Sequence, residues 1–111
     1  VIVVRTTIPI DPASRERAMG HVEELVDHAQ REAGTVRYRA AMDVTNPSLL
    51  HFFEQYEDAA AAEVHAESEP YRQFMSALPE FADGSIETVQ FETDDVHVSE
   101  FTATDAANAV E

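Results

Sequence analysis

Four stretches of the chain carry the residue pattern of β-strands. They are rich in β-branched, aromatic or alternating apolar residues, and they cover residues 1–8, 35–44, 49–57 and 86–93. In the second stretch one face is shared by Val36, Tyr38, Ala40 and Met42, and the other by Arg37, Arg39 and Asp43. The pair Asn46-Pro47 is typical of a turn between the second and third stretches. The pattern therefore predicts a central hairpin with one further strand before it and one after it.

Helical patterns separate these strands. Asp11, followed by proline, is typical of a helix start, and Gly34 is predicted to end that helix in the left-handed conformation. Between them, apolar residues recur at helical spacing at Met19, Val22, Leu25, Val26, Ala29 and Ala33. Asp58 is predicted to cap a second helix that runs to about residue 67. Ser68 or Glu69 then caps a further short helix that opens with proline.

The C-terminal region has a weaker pattern. Residues 96–101 are predicted to add a short strand, and residues 102–111, which are small and polar, are predicted to form a tail. The chain is therefore expected to consist of one domain, residues 1–95, followed by an extension of residues 96–111.

The order β-α-β-β-α-β is that of the ferredoxin-like α+β fold, an antiparallel sheet with both main helices on one face. The first and third strands, however, are apolar on both faces, at Val1 to Val4 and at Leu49, Leu50, Phe52 and Phe53. Because a large apolar sheet face is rarely left in water, we expect a second copy to cover it around a two-fold axis. The sequence thus predicts a homodimer.

The charge of the chain excludes several classes of partner. The formal net charge is −15, and all seven basic residues are arginine, with no lysine. Such a surface repels nucleic acids and anionic membranes, so neither is expected as a partner. An acid-rich chain without lysine is typical of adaptation to high salt, where self-repulsion between carboxylates is screened.

The absence of certain residue types excludes several chemistries. With no cysteine and no lysine, the chain has neither a thiol nucleophile nor a Schiff-base lysine. The three glycines lie far apart, so no glycine-rich phosphate loop is expected, and no apolar run approaches membrane-spanning length. The first residues lack the pattern of a signal peptide, which makes the cytoplasm the expected compartment.

Two runs of residues resemble the antibiotic biosynthesis monooxygenase superfamily, especially its small quinol-monooxygenase-like members. The first run, from Glu32 through Gly34 to Tyr38, joins a helix to a strand. The second contains the strand end Phe53-Glu54-Gln55-Tyr56, then Asp58, His65, Ser68, Pro70 and Tyr71. The resemblance covers approximately residues 1–93 and depends on the order and spacing of these residues together.

The resemblance implies a dimeric α+β barrel with a cavity between sheet and helices in each subunit. Members of the family oxidise phenolic or quinol-like substrates with O2, and they need neither a metal nor a flavin. The resemblance therefore implies a small aromatic substrate, O2 and no cofactor. The chain lacks the tryptophan of the haem-degrading branch and has Thr6 and Thr7 where that branch has asparagine, which argues against haem degradation.

His65 is the candidate catalytic residue, because an imidazole can take a phenolic proton near neutral pH and return it later. The alanines around it leave space for a ligand. The competing interpretation is a half-exposed helix histidine bonded to a carboxylate such as that of Glu69. Glu54 and Glu32 are candidates for a proton acceptor and an orienting group, or else for ion pairs with arginines on the second strand.

The expected substrate-binding residues are aromatic. Tyr38 and Tyr71 combine an apolar ring with a hydroxyl that can hydrogen-bond a quinol oxygen. Phe52, Phe74 and Phe91 are expected to form walls of the pocket. The histidines of the first helix, His21 and His28, are interpreted as surface residues rather than metal ligands, and His51 and His97 receive no role.

Two alternatives to the monooxygenase remain open from sequence. Related small proteins isomerise phosphorylated carbonyl compounds, which would require a cationic phosphate site from Arg37, Arg39 and Arg72. The chain could also be a non-catalytic dimeric module that holds an apolar ligand. One fold can serve all three functions.

Overall fold

The computed structural model describes residues 1–110, so the last residue of the predicted tail lies outside the described part. Four strands form one antiparallel sheet in the order β2-β3-β1-β4: β1 (Ile2–Pro9), β2 (Thr35–Met42), β3 (Leu49–Tyr56) and β4 (Glu87–Glu92). The helices are α1 (Arg15–Ala29), α2 (Ala59–Glu67), α3 (Glu69–Ala77) and α4 (Ala103–Ala109). Setting α4 aside, this order confirms the predicted ferredoxin-like α+β fold.

The hydrophobic core lies between the sheet and helices α1 and α3. Ile8, Leu50 and Phe52 project from the two central strands and are almost fully buried. Leu25 of α1 and Phe74 of α3 close over them. Alternation along each strand sends the next residues to the other side of the sheet, which we call the outer face.

The outer face carries large apolar side chains in contact with water. Phe53 on β3 is 42% exposed and Phe91 on β4 is 55% exposed. Val3 lies directly opposite Phe91 in the register of β1 and β4. These three side chains give the face an apolar patch, as the sequence predicted, although the exposed ion pair of Arg5 and Glu87 lies on the same face.

Side-chain caps set the starts of the short helices as predicted. The Asp58 carboxylate accepts a hydrogen bond from the backbone N–H of Ala61 at the start of α2. The Ser68 hydroxyl accepts from the N–H of Tyr71 at the start of α3, so serine rather than Glu69 is the cap. Ser68, which has an extended backbone, is thus the boundary between α2 and α3.

The first helix ends earlier than predicted. It stops at Ala29, and residues 30–34 form a turn before β2. Gly34 does have a left-handed backbone, with φ +85°, but it sits at the end of this turn. A Cβ at Gly34 would lie 2.6 Å from the Cβ of Ala61, so glycine at this position also lets α2 approach the sheet closely.

The C-terminal extension differs from the prediction. Residues 96–101 form no strand, and most of the expected tail forms α4, which begins with a reciprocal capping box between Thr102 and Asp105. Local capping bonds can start such a helix without tertiary contacts, which explains why a small, polar composition did not reveal it. Residues 94–110 are all exposed. Among residues 1–110, no helix is long and apolar enough to span a bilayer.

Candidate active site

A cavity of about 240 Å³ lies between the sheet and the helices α2 and α3. Its polar lining consists mainly of Tyr38, Glu54, Tyr56, His65 and Tyr71, and Phe52 and Phe74 contribute apolar walls. Apolar protein cavities of roughly 150 Å³ bind benzene. The volume therefore suits a single substituted aromatic ring.

Helix α2 positions His65 in the wall of this cavity. His65 is only 2% exposed, and Ala62 and Ala66 line the cavity beside it. Alanines at these positions leave the space that larger side chains would fill. The alternative of a half-exposed histidine paired with Glu69 is therefore wrong.

The two nitrogens of the His65 ring have different surroundings. Nδ1 lies 2.6 Å from Oε1 of Glu32, whose side chain is also buried. Because a carboxylate only accepts hydrogen bonds, this contact places the ring proton on Nδ1. Nε2 has no hydrogen-bond partner within the described residues, so its lone pair is free to accept a proton.

The turn after α1 brings Glu32 to His65. The carbonyl oxygen of Glu32 accepts from the N–H of Thr35, which fixes the turn just before β2. The other neighbour of the Glu32 carboxylate is His28, whose Nε2 lies 3.9 Å from Oε1. Glu32 and His65 are 33 positions apart in the chain, so only the tertiary structure joins them.

Three tyrosines surround the His65 ring. The ring centroids of Tyr38, Tyr71 and Tyr56 lie 5.0, 5.1 and 5.7 Å from that of His65. Burial, with a further contribution from the nearby Glu54 carboxylate, raises the pKa of all three phenols above 10.0. They therefore remain neutral at physiological pH, and Tyr38 and Tyr71 can donate hydrogen bonds to a ligand.

Glu54 lies on the opposite side of the imidazole from Glu32. Its Oε1 accepts a hydrogen bond of 2.5 Å from the Tyr56 hydroxyl and lies 4.0 Å from Nε2 of His65. Burial raises the pKa of Glu54 above its ordinary value of 4.5, against smaller opposing effects of the Tyr56 hydrogen bond and of His65. A carboxyl group whose neutral form is favoured thus faces the cavity.

The expected aromatic walls are only partly assembled. Phe52 and Phe74 line the cavity, with ring centroids 5.6 Å apart. Phe91, expected as a third wall, is instead on the outer face, because it pairs with Val3 while its neighbour Gln90 points to the cavity. A shift of one residue in the pairing of β4 with β1 would move each side chain of β4 to the other face of the sheet. The residue pattern of β4 alone does not determine this pairing.

The arginines of β2 do not pair with the two glutamates. Arg37 donates a hydrogen bond to Oε1 of Gln55, and Arg39 donates to the carbonyl oxygen of Tyr38. Both project from the outer face. Arg72 lies on the exposed side of α3, in a separate surface pocket. Within residues 1–110, no arginine lines the main cavity.

His51 has partners that the sequence did not indicate. Its Nε2 lies 2.8 Å from Oδ2 of Asp43, and its Nδ1 lies 3.1 Å from the Thr7 hydroxyl. The hydrogen bond to His51 lowers the pKa of Asp43 to about 2, with Thr45 contributing. Thr7 and Asp43 come from different parts of the chain, so only the strand register brings the group together.

Comparison with known proteins agrees with this fold. The family model described as antibiotic biosynthesis monooxygenase matches residues 1–77. The monooxygenase-like protein YcnE of Bacillus subtilis (strain 168) is 25% identical over 92 residues, which cover 83% of this chain and 97% of YcnE.

Solved structures give the same result for the fold. Rv0793 from Mycobacterium tuberculosis superposes with a TM-score of 0.80 at 16% identity, covering 87% of this chain and 98% of Rv0793. PA3566 from Pseudomonas aeruginosa gives a TM-score of 0.76 at 24% identity, with 83% and 92% covered. The family model matches well over half of this chain. The chain therefore belongs to the antibiotic biosynthesis monooxygenase family.

Proposed function

We propose that this protein is a cofactor-independent monooxygenase that oxidises a small aromatic, quinol-like substrate with O2. The observation that carries the proposal is the buried His65, whose Nδ1 is held by Glu32 and whose Nε2 is free beside a ring-sized cavity. An imidazole held in this way is a general base aimed at whatever occupies the cavity.

The roles of the other residues follow from their positions around His65. Tyr38 and Tyr71 are neutral phenols that can hydrogen-bond a substrate oxygen and hold it near Nε2. Phe52 and Phe74 supply apolar contacts for the substrate ring. Glu32 keeps the proton on Nδ1 and stabilises the imidazolium that forms when Nε2 takes a proton.

In the proposed oxidation, the main group that the protein must supply is a base that removes the phenolic proton of the substrate. Removing the proton of a phenol makes the ring electron-rich, and the anion itself then reduces O2. The walls limit the access of water, which would otherwise stabilise the phenolate and slow electron transfer.

We also propose that the protein works as a homodimer joined through the outer face of the sheet. Phe53 and Phe91 lie exposed on that face, and Val3 lies on the strand between them. A second copy packed around a two-fold axis removes this apolar area from water. The cavity lies on the other side of the sheet and stays available to substrate.

The isomerase alternative loses its support. It requires a cationic site for a phosphate group, but Arg37, Arg39 and Arg72 all lie outside the cavity. The cavity lining instead includes the carboxyl group of Glu54, and Glu32 lies behind His65. Among the described residues of the lining, only His65 can carry a positive charge for a phosphate ester.

Oxygen uptake with reduced quinones tests the monooxygenase. We expect the wild-type protein to consume O2, and His65→Gln to lower kcat by about 100-fold or more, since a positioned base contributes roughly 10²–10⁴ in rate. His21→Gln is the matched control, because His21 stacks on Phe81 away from the cavity and should leave the rate unchanged.

Two outcomes would contradict the proposal. Tight binding of quinols without oxygen consumption would indicate a non-catalytic binding module. A His65→Gln rate equal to that of His21→Gln would remove the histidine from the mechanism.

A further inference from the structure

Two buried carboxyl groups share one imidazole at the cavity. Glu32 contacts Nδ1 of His65 at 2.6 Å, and Glu54 lies 4.0 Å from Nε2 on the other side. The side chains of all three residues are nearly inaccessible to water. Burying two ionised carboxylates this close to each other is unfavourable, so one of the two acids is expected to keep its proton.

The surroundings of the two acids are not equivalent. Glu32 receives the Nδ1–H of His65 and has His28 at 3.9 Å as a second neighbour. Glu54 receives only the hydrogen bond from the neutral Tyr56 hydroxyl. Its pKa is raised, mainly by burial. Of the two acids, Glu54 is therefore the one whose neutral form is favoured by burial, and it is also the one that lines the cavity.

We propose that Glu54 is a second catalytic residue, which donates its proton to the reduced dioxygen bound to the substrate ring and then recovers a proton from His65. This inference rests on the proposed monooxygenase function. It differs from a role as proton acceptor, because the acceptor nitrogen of His65 already serves that purpose. The 4.0 Å between Oε1 of Glu54 and Nε2 of His65 is short enough for a small side-chain movement to connect them.

The sequence of proton transfers balances without exchange with solvent. Nε2 of His65 takes the phenol proton, and the phenolate transfers two electrons to O2 as a new C–O bond forms at a ring carbon bearing hydrogen. The outer oxygen of the resulting peroxide takes the proton of Glu54.

The remaining steps regenerate both groups. The O–O bond breaks as the hydrogen on that ring carbon leaves as a proton, which gives a carbonyl group and one molecule of water. The imidazolium of His65 then returns its proton to the Glu54 carboxylate. One phenol and one O2 thus give one quinone and one water, and both residues end in their starting states.

Glu54→Gln tests the donor role, because glutamine keeps the neutral charge, the shape and an oxygen that can accept from Tyr56, but it has no proton to give. We expect quinol binding to change by less than about twofold, while kcat falls by about 100-fold. Glu63→Gln is the matched control on the exposed side of α2 and should behave as wild type.

Infrared spectroscopy provides a readout that does not depend on activity. The wild-type protein at neutral pH should show the carbonyl stretch of a protonated carboxylic acid that shifts in D2O and is missing from Glu54→Gln. A wild-type spectrum without this band would overturn the proposal even if Glu54→Gln does not fold.

The kinetic outcomes separate this inference from the proposed function. Wild-type oxygen uptake together with an undiminished kcat in Glu54→Gln would overturn the donor role and leave the monooxygenase intact. A wild-type protein that consumes no oxygen with any phenol or quinol would overturn both.

Discussion

At the level of single residues, the proposed site depends on two acids with different hydrogen-bond partners on either side of one histidine. Glu32 orients His65, and the hydrogen bond at 2.6 Å places the ring proton on Nδ1. Glu54 accepts a hydrogen bond only from Tyr56, and burial raises its pKa. The two acids thus differ in their hydrogen-bond partners, and the proposed donor role of Glu54 depends on that difference.

The raised pKa of Glu54 predicts how stability depends on pH. A carboxyl with a pKa above 4.5 in the folded protein holds its proton more tightly there than in the unfolded chain. Its favourable contribution is complete below pH 4.5 and is lost as pH rises through the folded-state pKa. Glu54→Gln does not ionise, so its free energy of unfolding should exceed that of wild type increasingly as pH rises.

Urea unfolding at a series of pH values measures this difference. Glu63→Gln is the control, since an exposed carboxyl should give a difference that stays nearly constant with pH. A wild-type protein that gains stability relative to Glu54→Gln as pH rises would show that Glu54 is ionised and paired.

At the level of secondary-structure elements, the position of α2 decides where His65 points. Its Asp58 cap starts the helix directly after β3, and Ala61 packs against Gly34 in the turn before β2. Small residues on both sides of this contact let the helix lie close to the sheet. Gly34, which makes this contact, belongs to the same turn as Glu32, residues 30–34.

Gly34→Ala should therefore damage both stability and the site. The left-handed backbone at φ +85° costs an alanine about 1–2 kcal/mol, and the new Cβ would also collide with Ala61. We expect a loss of at least that size in the free energy of unfolding, with reduced oxygen uptake because α2 moves. Urea denaturation measures the first effect.

Gly20→Ala is the matched control for this substitution. Gly20 lies within α1, and no atom lies within 4 Å of the position that a Cβ would take there, so alanine should stabilise the helix by about 0.5–1 kcal/mol. If both variants lost the same stability, the contact between Gly34 and Ala61 would not be the cause.

At the level of the whole molecule, the sheet has one face covered by helices and one face open. The covered face holds the core and the cavity, and the open outer face carries Phe53 and Phe91. The radius of gyration is 16.0 Å, whereas a compact chain of this length has about 13 Å, because the C-terminal extension projects from the domain. The proposed dimer depends on the outer face and not on the extension.

Substitution on the outer face should prevent dimer formation. Phe53→Asp and Phe91→Asp each place a charge in the proposed apolar interface, and light scattering should then report the mass of a monomer. Val44→Asp, in the exposed turn between β2 and β3, is the control and should remain dimeric. A wild-type protein that is already monomeric at high concentration would contradict the interface.

The net charge of −15 predicts that folding weakens at low salt. Molar salt shortens the screening length to about 3 Å, which removes most of the repulsion between exposed carboxylates. The midpoint of thermal unfolding should therefore rise from dilute buffer to molar KCl. An unchanged midpoint would count against adaptation to high salt.

Much of the fold and part of the site could be predicted from the sequence. Strand alternation, the Asp58 cap and the turn signals are local, so they give the order of elements. They also place His65 on a helix among alanines. The end of α1 at Ala29 and the helix α4 were missed, because local hydrogen bonds at the ends of elements compete with weak residue patterns.

Local residue patterns were sufficient for the βαββαβ order, for the apolar character of both sheet faces and for the residue types available for chemistry. Three features required the folded chain: the carboxylates that meet His65, the direction of Phe91 away from the cavity, and the lack of any arginine among residues 1–110 in the cavity lining. Contacts between distant residues depend on strand register and helix placement. A shift of one residue in the pairing of two strands, or in the placement of a helix, changes the neighbours of each side chain. The residue pattern within each element stays the same, so these contacts cannot be predicted from the pattern alone.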